Sequence, residues 1–357
     1  MRIERLLLTQ FRNINSLDLK FDQDFIVLVG PNGVGKTSIL ESIHYCSLLS
    51  AFPPGKSWEL IEFDNDFFRI EAITDTAKYE YYYGRKTEKK YARSQSIDGA
   101  RKRSHEILGS LPTVSFLPTD LNLLILSPTG RRGYMDEILL QTENNYEIIL
   151  TEFDKTLTQR NELLSRIREG EAKESELDIW DEKLIEFAAP IITARGQLAE
   201  YFNDGLEEFY EEVTGEARDL SFHYVAPYLK NGDPLEDTLR AKRKEDIASA
   251  KTNVGPHRDD WRIEDKEGRN LARYFSRGEQ RSAIICLKLK EHSRLLEALE
   301  KAPIILFDEV LAELDETRKT QILEHLPKES QVFLTTASEN DLPESILSSA
   351  QIIELKK

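Results

Sequence analysis

Hydrophobic and polar positions change their spacing several times along the chain, and each spacing predicts a different element. A short apolar run at residues 25–29, bounded by polar and glycine-rich segments, predicts a buried strand. Apolar residues alternate with polar ones around 67–73, and tyrosines recur over 79–83, which predicts an antiparallel side sheet. Two later apolar runs, at 302–307 and 331–336, predict further buried strands.

The middle of the chain has a helical spacing. Apolar residues recur at helix-like intervals from Ile138 to Leu164, and Gly170 lies between two acidic residues, which predicts a turn between charged helices. The next helix is expected over 174–212, with Pro190 bending or breaking it. We therefore predict an α/β core split by an inserted helical lobe. Residues 1–117 and 251–357 form the core in this interpretation, and 118–250 form the lobe.

Composition limits the class of protein. The chain has 357 residues, 40% of them hydrophobic and 31% charged, which is typical of a soluble globular protein of one large or two linked domains. No apolar run approaches the roughly 20 residues that span a bilayer, and the charged N-terminus is unlike a signal peptide. We expect a cytoplasmic protein with no membrane association. Cys46 and Cys286 lack metal-ligand spacing and are predicted to be buried, reduced thiols.

Directly after the strand at 25–29 comes a complete G-x-x-x-x-G-K-[ST] phosphate loop, followed by a predicted helix from Thr37 to Tyr45. Its glycines allow successive backbone N–H groups to point at phosphate oxygens, and the helix N-terminus adds partial positive charge. Lys36 is predicted to reach the β- and γ-phosphates, and the Thr37 hydroxyl to ligate Mg²⁺. The alternative is a chance glycine turn. The predicted ATP-binding residues of this segment are Gly30, Pro31, Asn32, Gly33, Val34, Gly35, Lys36, Thr37 and Ser38.

The strand predicted at 302–307 ends in two acids, Asp308 and Glu309, and has the form of a Walker B strand. Asp308 is expected to hold Mg²⁺ directly or through water, and Glu309 to orient or deprotonate an attacking water. An apolar strand ending in acids is weak evidence alone. Together with the phosphate loop it predicts an ATP-hydrolysing site, in which Glu309 and Lys36 are the catalytic residues.

A second loop, residues 274–282, precedes a helical run and has the Ser-x-Gly-[Gln/Glu] form of the ABC-type ATPase signature loop. A serine hydroxyl, a glycine N–H and a helix N-terminus together form an anion site, and the predicted nucleotide contacts are Ser276, Gly278 and Gln280. An ordinary N-capped helix, with Ser276 as the cap and Glu279 three residues later, also explains the pattern. Both interpretations can hold together.

The segments after Glu309 add two details. Residues 312–315 resemble the D-loop of the same superfamily, in which Asp315 is predicted to contact nucleotide. The strand at 331–336 ends in threonines where ABC transporters typically carry a switch histidine. This difference favours the chromosome-handling branch of the superfamily.

Shorter segments occur along the chain in a recognisable order. They are residues 8–13, 114–121, 127–128, 131–132 with Asp136, 160–164, 180–181 and 253–260, followed by the signature loop and residues 304–315. In the identity and order of these segments, the chain resembles the RecF family of bacterial recombination mediators. Because the segments are distributed from residue 8 to residue 315, the resemblance covers nearly the whole chain. The resemblance implies an ABC-type P-loop ATPase core, a mixed sheet with an antiparallel side sheet, and an inserted mainly helical lobe. One departure is Glu279, where the family commonly has glutamine, because a carboxylate beside a γ-phosphate is repulsive unless it points away.

The same resemblance implies a function. It implies an ATP-dependent DNA-binding protein of recombinational gap repair, whose ATP-driven homodimer clamps gapped or single-strand/double-strand junction DNA. Ser276 and Gly278 of one protomer would face the γ-phosphate held by its partner, and a weak, DNA-stimulated ATPase would open the dimer slowly. RecR is the implied partner, and RecA is loaded indirectly. The alternatives are a transporter or translation-factor ATPase subunit, and an ATP-binding scaffold with little hydrolysis.

The net charge of -16 argues against a broadly basic nucleic-acid binder, so DNA contact would need local basic islands. The clearest island lies between residues 84 and 103 and has tyrosines interleaved or adjacent. Its predicted DNA-binding residues are Arg85, Lys86, Lys89, Lys90, Arg93, Arg101, Lys102 and Arg103. A second cluster contains Arg240, Lys242, Arg243 and Lys244. The alternatives are a solvated hairpin and a solvated helix.

Overall fold

The computed structural model describes residues 1–52, 55–87, 90–229, 233–313 and 316–356. The chain forms two compact units. The first comprises residues 1–122, 212–215 and the segment from 281 onward, and the second comprises 123–211 and 216–280. The chain thus returns to the first unit at Arg281, and residues 274–280 of the predicted signature loop lie in the second unit. The functional boundaries expected at 118 and 250 stay a prediction.

Strands and helices of both units have the following bounds. The strands are β1 (Ile3–Phe11), β2 (Ile14–Lys20), β3 (Phe25–Val29), β4 (Phe67–Thr74), β5 (Lys78–Thr87), β6 (Lys90–Ile97), β7 (Ala100–Lys102), β8 (Thr113–Phe116), β9 (Leu220–Val225), β10 (Asp260–Asp265), β11 (Ile304–Asp308), β12 (Val332–Thr336) and β13 (Gln351–Glu354). The helices are α1 (Lys36–Leu48), α2 (Ser104–Ile107), α3 (Pro128–Thr142), α4 (Tyr146–Arg168), α5 (Leu177–Asn203), α6 (Leu206–Thr214), α7 (Leu235–Ser249), α8 (Leu271–Tyr274), α9 (Arg277–Leu299), α10 (Glu316–Glu324) and α11 (Glu344–Leu347).

Two sheets lie in the first unit. Within the described ranges, an antiparallel six-stranded sheet has the order β2-β1-β4-β5-β6-β7, and a parallel five-stranded sheet has the order β13-β3-β12-β11-β8. Helix α1 contacts strands of both sheets and buries Ile39, Leu40 and Ile43 in their shared apolar core. Its apolar side chains recur at helical spacing, so one helix can fill this layer. The predicted mixed fold with an antiparallel side sheet is confirmed.

Strand order in the parallel sheet positions the candidate site. Strand β12 lies between β3 and β11, and Asp308 at the end of β11 pairs in register with Thr335 of β12. On the other side, Thr336 pairs with Val29, the last residue of β3 before the phosphate loop. The carboxyl ends of all three strands therefore meet at one edge, where open α/β sheets bind their ligands.

The second unit is mainly helical, and it also contains the antiparallel pair β9–β10, which the sequence pattern did not predict. The single helix expected over 174–212 is two helices. Helix α5 continues through Pro190 to Asn203, and the break falls at Gly205, whose φ is 62°. Helix α5 packs against α4, α7 and β9 along this continuous stretch. The left-handed backbone at Gly205 is a common way for a helix to end. The turn expected at Gly170 is confirmed.

Other expectations concern burial. Cys46 and Cys286 are free and buried, as predicted. Burial raises the pKa of the Cys46 thiol far above its usual range, so this thiol stays protonated. Among the described residues, no helix combines the length and apolar character needed to cross a membrane.

Candidate nucleotide site

The phosphate loop joins β3 to the first turn of α1. Gly33 and Gly35 have φ values of 79° and 108°, a left-handed conformation that glycine adopts without steric cost. Gly30 has no room for a side chain, because a Cβ atom there would lie 2.6 Å from the carbonyl oxygen of Leu355. Helix α1 begins at Lys36, so its free N–H groups and partial positive charge lie at the loop. This backbone geometry is suited to binding an anion, and the assignment of these residues to ATP stays a prediction.

The predicted Mg²⁺ ligands lie together. Thr37 Oγ1 is 3.0 Å from each carboxylate oxygen of Asp308, and Asp308 also accepts a hydrogen bond from Thr335 Oγ1 at 2.9 Å. Burial raises the pKa of Asp308, while the hydrogen bonds from both threonines oppose that shift.

A hydroxyl and a carboxylate are hard oxygen ligands, so the pair suits Mg²⁺. Mg²⁺ is commonly held by one or two carboxylates together with substrate phosphates. Within the described ranges, no cluster of three or more His, Cys, Asp or Glu residues could hold a metal. Phosphate oxygens of bound ATP would supply further ligands to an ion held by Thr37 and Asp308.

Lys36 and Glu309 form an ion pair at the same edge. Lys36 Nζ lies 3.0 Å from Glu309 Oε1 and donates to the carbonyl oxygen of Gly30 at 2.6 Å. The lysine is buried, and the Glu309 side chain is 37% exposed. Glu309 has a φ of 54°, an uncommon value for a residue with a side chain, and its N–H donates to Thr335 Oγ1 at 3.0 Å. This turn at the end of β11 brings the carboxylate to the phosphate loop.

Thr335 is a site residue whose role the sequence did not reveal. Its hydroxyl donates to Asp308 and accepts from the backbone N–H of Glu309. A threonine at the end of β12 was visible as a departure from the transporter pattern. Its contact with both acids depends on the pairing of β12 with β11, which no local pattern encodes.

The turn between β1 and β2 supplies two more residues. Asn13 donates to the carbonyl oxygen of Gly33 at 3.0 Å and accepts from Ser38 Oγ at 2.7 Å. Arg12 forms a bidentate pair with Glu41 of α1, at 2.7 and 2.6 Å. These residues fix the phosphate loop against the antiparallel sheet. Their only signal in the sequence was their place in the RecF-like segment at 8–13.

An open cavity of about 1020 Å³ adjoins the first turn of α1. Thr37 and Ser38 line it together with Trp58, Arg85 and Tyr91. A pocket with aromatic and polar groups beside an anion site can hold the base and sugar of a nucleotide. Arg85, which the sequence assigned to DNA contact, thus faces the same cavity as the phosphate loop.

The predicted signature loop caps α9. The backbone N–H of Ser276 donates to Glu279 Oε2 at 2.8 Å, and the N–H of Glu279 donates to Ser276 Oγ at 3.3 Å, which is the expected capping box. Gln280, predicted to contact nucleotide, donates its side-chain amide to the carbonyl oxygens of Phe275 and Ala272 at 2.9 and 3.4 Å. The Gln280 amide therefore stabilises the loop conformation. Asp315 lies outside the described residues.

The basic island divides between two faces of the β5–β6 hairpin. Arg93 pairs with Tyr83 and Arg85 pairs with Tyr91, so both arginines lie on one face. Arg101 pairs with Ser96 and lies on the opposite face. The other predicted DNA contacts are the exposed Lys86, Lys90 and Arg103, the half-buried Lys102, which pairs with Glu106, and Lys89, which lies outside the described residues.

Comparison with known proteins decides the family. The model of the RecF/RecN/SMC N-terminal domain matches residues 2–354. A DNA replication and repair protein RecF from Thermoanaerobacter sp. (strain X514) is 34% identical over 355 residues, which covers 96% of each chain. The chain belongs to the RecF family. A second RecF, from Clostridium kluyveri, is 32% identical over 362 residues and covers 100% of this chain and 98% of the relative.

Solved RecF structures share the fold. "Structure of the recombination mediator protein RecF-ATPrS in RecFOR pathway" superposes with a TM-score of 0.88 at 29% identity, covering 99% of this chain and 96% of that one. The corresponding RecF-ATP structure has a TM-score of 0.85 at 31% identity, covering 96% and 93%. An SmcHead structure has a TM-score of 0.51 at 17% identity and shows the fold alone, covering 99% and 94%. The predicted family and the ABC-type ATPase fold are therefore confirmed.

Proposed function

We propose that this RecF-family chain is an ATP-dependent DNA-binding protein of recombinational gap repair. ATP and Mg²⁺ drive formation of a homodimer that clamps gapped or single-strand/double-strand junction DNA, and slow hydrolysis opens it. The observation that carries the proposal is the meeting of Thr37 with Asp308 and of Lys36 with Glu309 at one sheet edge. The RecF structures named with ATP and the RecFOR pathway support the same assignment.

Each group at the edge has a role in this proposal. Loop N–H groups and the ammonium group of Lys36 bind the phosphates, and the cavity beside α1 holds the nucleoside. Mg²⁺ on Thr37 and Asp308 would neutralise charge on the phosphates during transfer. The Glu309 carboxylate orients the attacking water and accepts its proton, while Thr335 holds both acids in place. Turnover is slow and DNA-stimulated, as in a switch.

The dimer is the second part of the proposal. Ser276 and Gly278 of one protomer contact the γ-phosphate bound by its partner, because a helix N-terminus binds anions. Bound ATP contacts both protomers only in the closed dimer, so it increases the affinity of the protomers for each other. Hydrolysis of ATP removes this gain in affinity. RecR is the proposed partner, with loading of RecA as the indirect result. Because chromosomal DNA is the proposed substrate, we propose that the protein acts in the cytoplasm.

Light scattering tests the clamp. The protein is measured with and without Mg-ATP, each with and without gapped duplex DNA. We expect a shift from monomer to dimer only with Mg-ATP, and tighter DNA binding by the dimer. A protein that binds ATP but neither dimerises nor holds DNA would contradict the clamp and support an ATP-binding scaffold.

A further inference from the structure

The carboxylate of Glu279, in the first turn of α9, is held from two sides. Its Oε2 atom accepts the N–H of Ser276 at 2.8 Å, and its Oε1 atom lies 2.7 Å from Nη2 of Arg218. Arg218 lies just before β9, so the contact joins two segments that are 61 positions apart within the second unit. The Glu279 side chain is 19% exposed and that of Arg218 is 44% exposed.

This pair bears on the anion site that we propose at the same helix end. A free carboxylate next to the Ser276 hydroxyl and the Gly278 N–H would repel a phosphate, and the repulsion between nearby charges is appreciable in a partly desolvated interface. The contact with Arg218 changes this balance in two ways. It neutralises the charge of Glu279, and it directs one carboxylate oxygen toward the guanidinium group.

We propose that Arg218 is a positioning residue of the signature loop, and that it enables the loop to accept the γ-phosphate bound by a second copy of this chain. Arg218 acts through Glu279 and not by touching the nucleotide. The inference rests on the proposed function, since it concerns the affinity of the ATP-bound dimer. It assigns to the segment before β9 a part in nucleotide-dependent closure.

Substituting Glu279 by glutamine separates charge from structure. Glutamine at this third helical position still accepts the Ser276 N–H, so the capping box is retained. It removes the negative charge, and with it the need for Arg218. If Arg218 instead serves only to hold β9 near α9, the glutamine variant cannot compensate for its loss.

Arg262 provides a matched control. It lies in the same unit, its side chain is 45% exposed, and it forms an ion pair of 2.7 Å with Glu264, whose side chain is 17% exposed. Exposed pairs of this kind contribute little to stability, so Arg218→Ala and Arg262→Ala are expected to melt close to wild type. The two variants differ in that only Arg218 contacts the signature loop.

The experiment measures the dimer dissociation constant by sedimentation equilibrium with ATPγS and Mg²⁺. The set is wild type, R218A, R218K, E279Q, R218A/E279Q and R262A. We expect R218A to weaken the dimer about tenfold at low salt, R218K and R218A/E279Q to return to within about twofold of wild type, and R262A to have no effect. Because salt screens partly exposed charges, the R218A defect is expected to shrink at 0.5 M salt, roughly where the Debye length falls below 5 Å.

The outcomes separate this inference from the proposed function. A wild-type protein that stays monomeric with ATPγS would overturn the proposed function and this inference with it. A wild-type dimer that R218A leaves unchanged would overturn the inference alone. So would an R218A defect that E279Q fails to restore, since the arginine would then act through structure and not through charge.

Discussion

The hydroxyl of Thr37 and the carboxylate of Asp308 lie 3.0 Å apart, although 271 positions separate the two residues in the chain. Thr37 lies in the first turn of α1, which follows β3, and Asp308 is the last residue of β11. Strand β12 lies between β3 and β11. A hydrogen-bond donor and acceptor placed in this way also form two of the oxygen ligands that Mg²⁺ prefers. This arrangement predicts that the Thr37 hydroxyl contributes to Mg²⁺ binding.

Thr37→Val keeps the shape of the side chain and removes its oxygen. We expect Mg²⁺ to tighten ATP binding in wild type and to lose most of this effect in Thr37→Val, by roughly tenfold in Kd. Thr37→Ser retains the hydroxyl and is the control. Calorimetric titration of ATP with Mg²⁺ and with EDTA measures the effect. The same Mg²⁺ dependence in Thr37→Val and wild type would remove Thr37 from the ligand set.

Glu309→Gln removes the proposed proton acceptor and leaves the backbone turn in place. Hydrolysis should fall by about 10² to 10⁴-fold, while ATP binding persists and the ATP-bound dimer lives longer. Glu300→Gln is a suitable control, because Glu300 also has a left-handed backbone, with a φ of 52°. Single-turnover hydrolysis and dimer dissociation are measured together. A dimer lifetime equal to that of wild type would argue against the catalytic role.

Thr335→Val removes the hydroxyl that contacts both Asp308 and the N–H of Glu309. Each lost hydrogen bond is worth about 1 kcal/mol, so we expect kcat to fall roughly tenfold or more, with a smaller change in KM. Thr335→Ser should retain most of the activity, since it keeps the hydroxyl. Steady-state kinetics measures kcat and KM for both variants. Equal kcat values for the two variants would show that the hydroxyl does not position the acids.

DNA binding should use one face of the β5–β6 hairpin. The face of Arg101 also carries Glu80, which pairs in register with Ser96, whereas the face of Arg93 also carries Arg85. We therefore expect Arg93→Ala to weaken duplex binding and to reduce the slope of log K against log salt by about 0.9. The slope should change little in Arg101→Ala.

Arg262→Ala is the control for that measurement. Arg262 is an exposed arginine of β10 that pairs with Glu264 at 2.7 Å, and it belongs to neither basic island. Fluorescence anisotropy at several salt concentrations gives the slopes. A loss confined to Arg101→Ala would place the DNA on the opposite face, and no loss in either variant would remove the hairpin from the interface.

His44 predicts a dependence of stability on pH. It is buried on α1 with Nδ1 3.1 Å from Ser115 Oγ, and burial, with a smaller contribution from Lys288, lowers its pKa to about 3. The unfolded chain takes up the proton near pH 6.5, and the folded protein does not do so until about pH 3. The contribution of His44 to stability is therefore complete above pH 6.5 and declines as the pH falls toward 3.

Urea unfolding at pH 7.5 and 4.5 tests the direction of this pH dependence of stability. The slope from one such histidine is up to about 1.4 kcal/mol per pH unit, and about two pH units of this interval lie below 6.5, so wild type should lose roughly 3 kcal/mol more than His44→Gln. Other titrating groups are common to both proteins and cancel in the comparison. Parallel losses would mean that His44 is protonated in the folded protein.

Much of the fold and of the candidate site could be predicted because it depends on short segments. The strand at Phe25–Val29, the glycines of the phosphate loop, the capping box at Ser276 and the strand that ends in Asp308 each follow from neighbouring residues. Local sterics, backbone hydrogen bonding and side-chain alternation act over a few positions, so their signal is present in the sequence.

The tertiary structure decided which distant segments meet. Pairing of β12 with β11 brings the Thr335 hydroxyl to both acids, and the β1–β2 turn places Asn13 on the phosphate loop. Packing around α5 accompanies its passage through Pro190, against its local propensity. Sequence alone thus determined the chemistry of each segment. Strand order and packing determined the partners, because long-range contacts arise from the burial of whole faces and not from any local pattern.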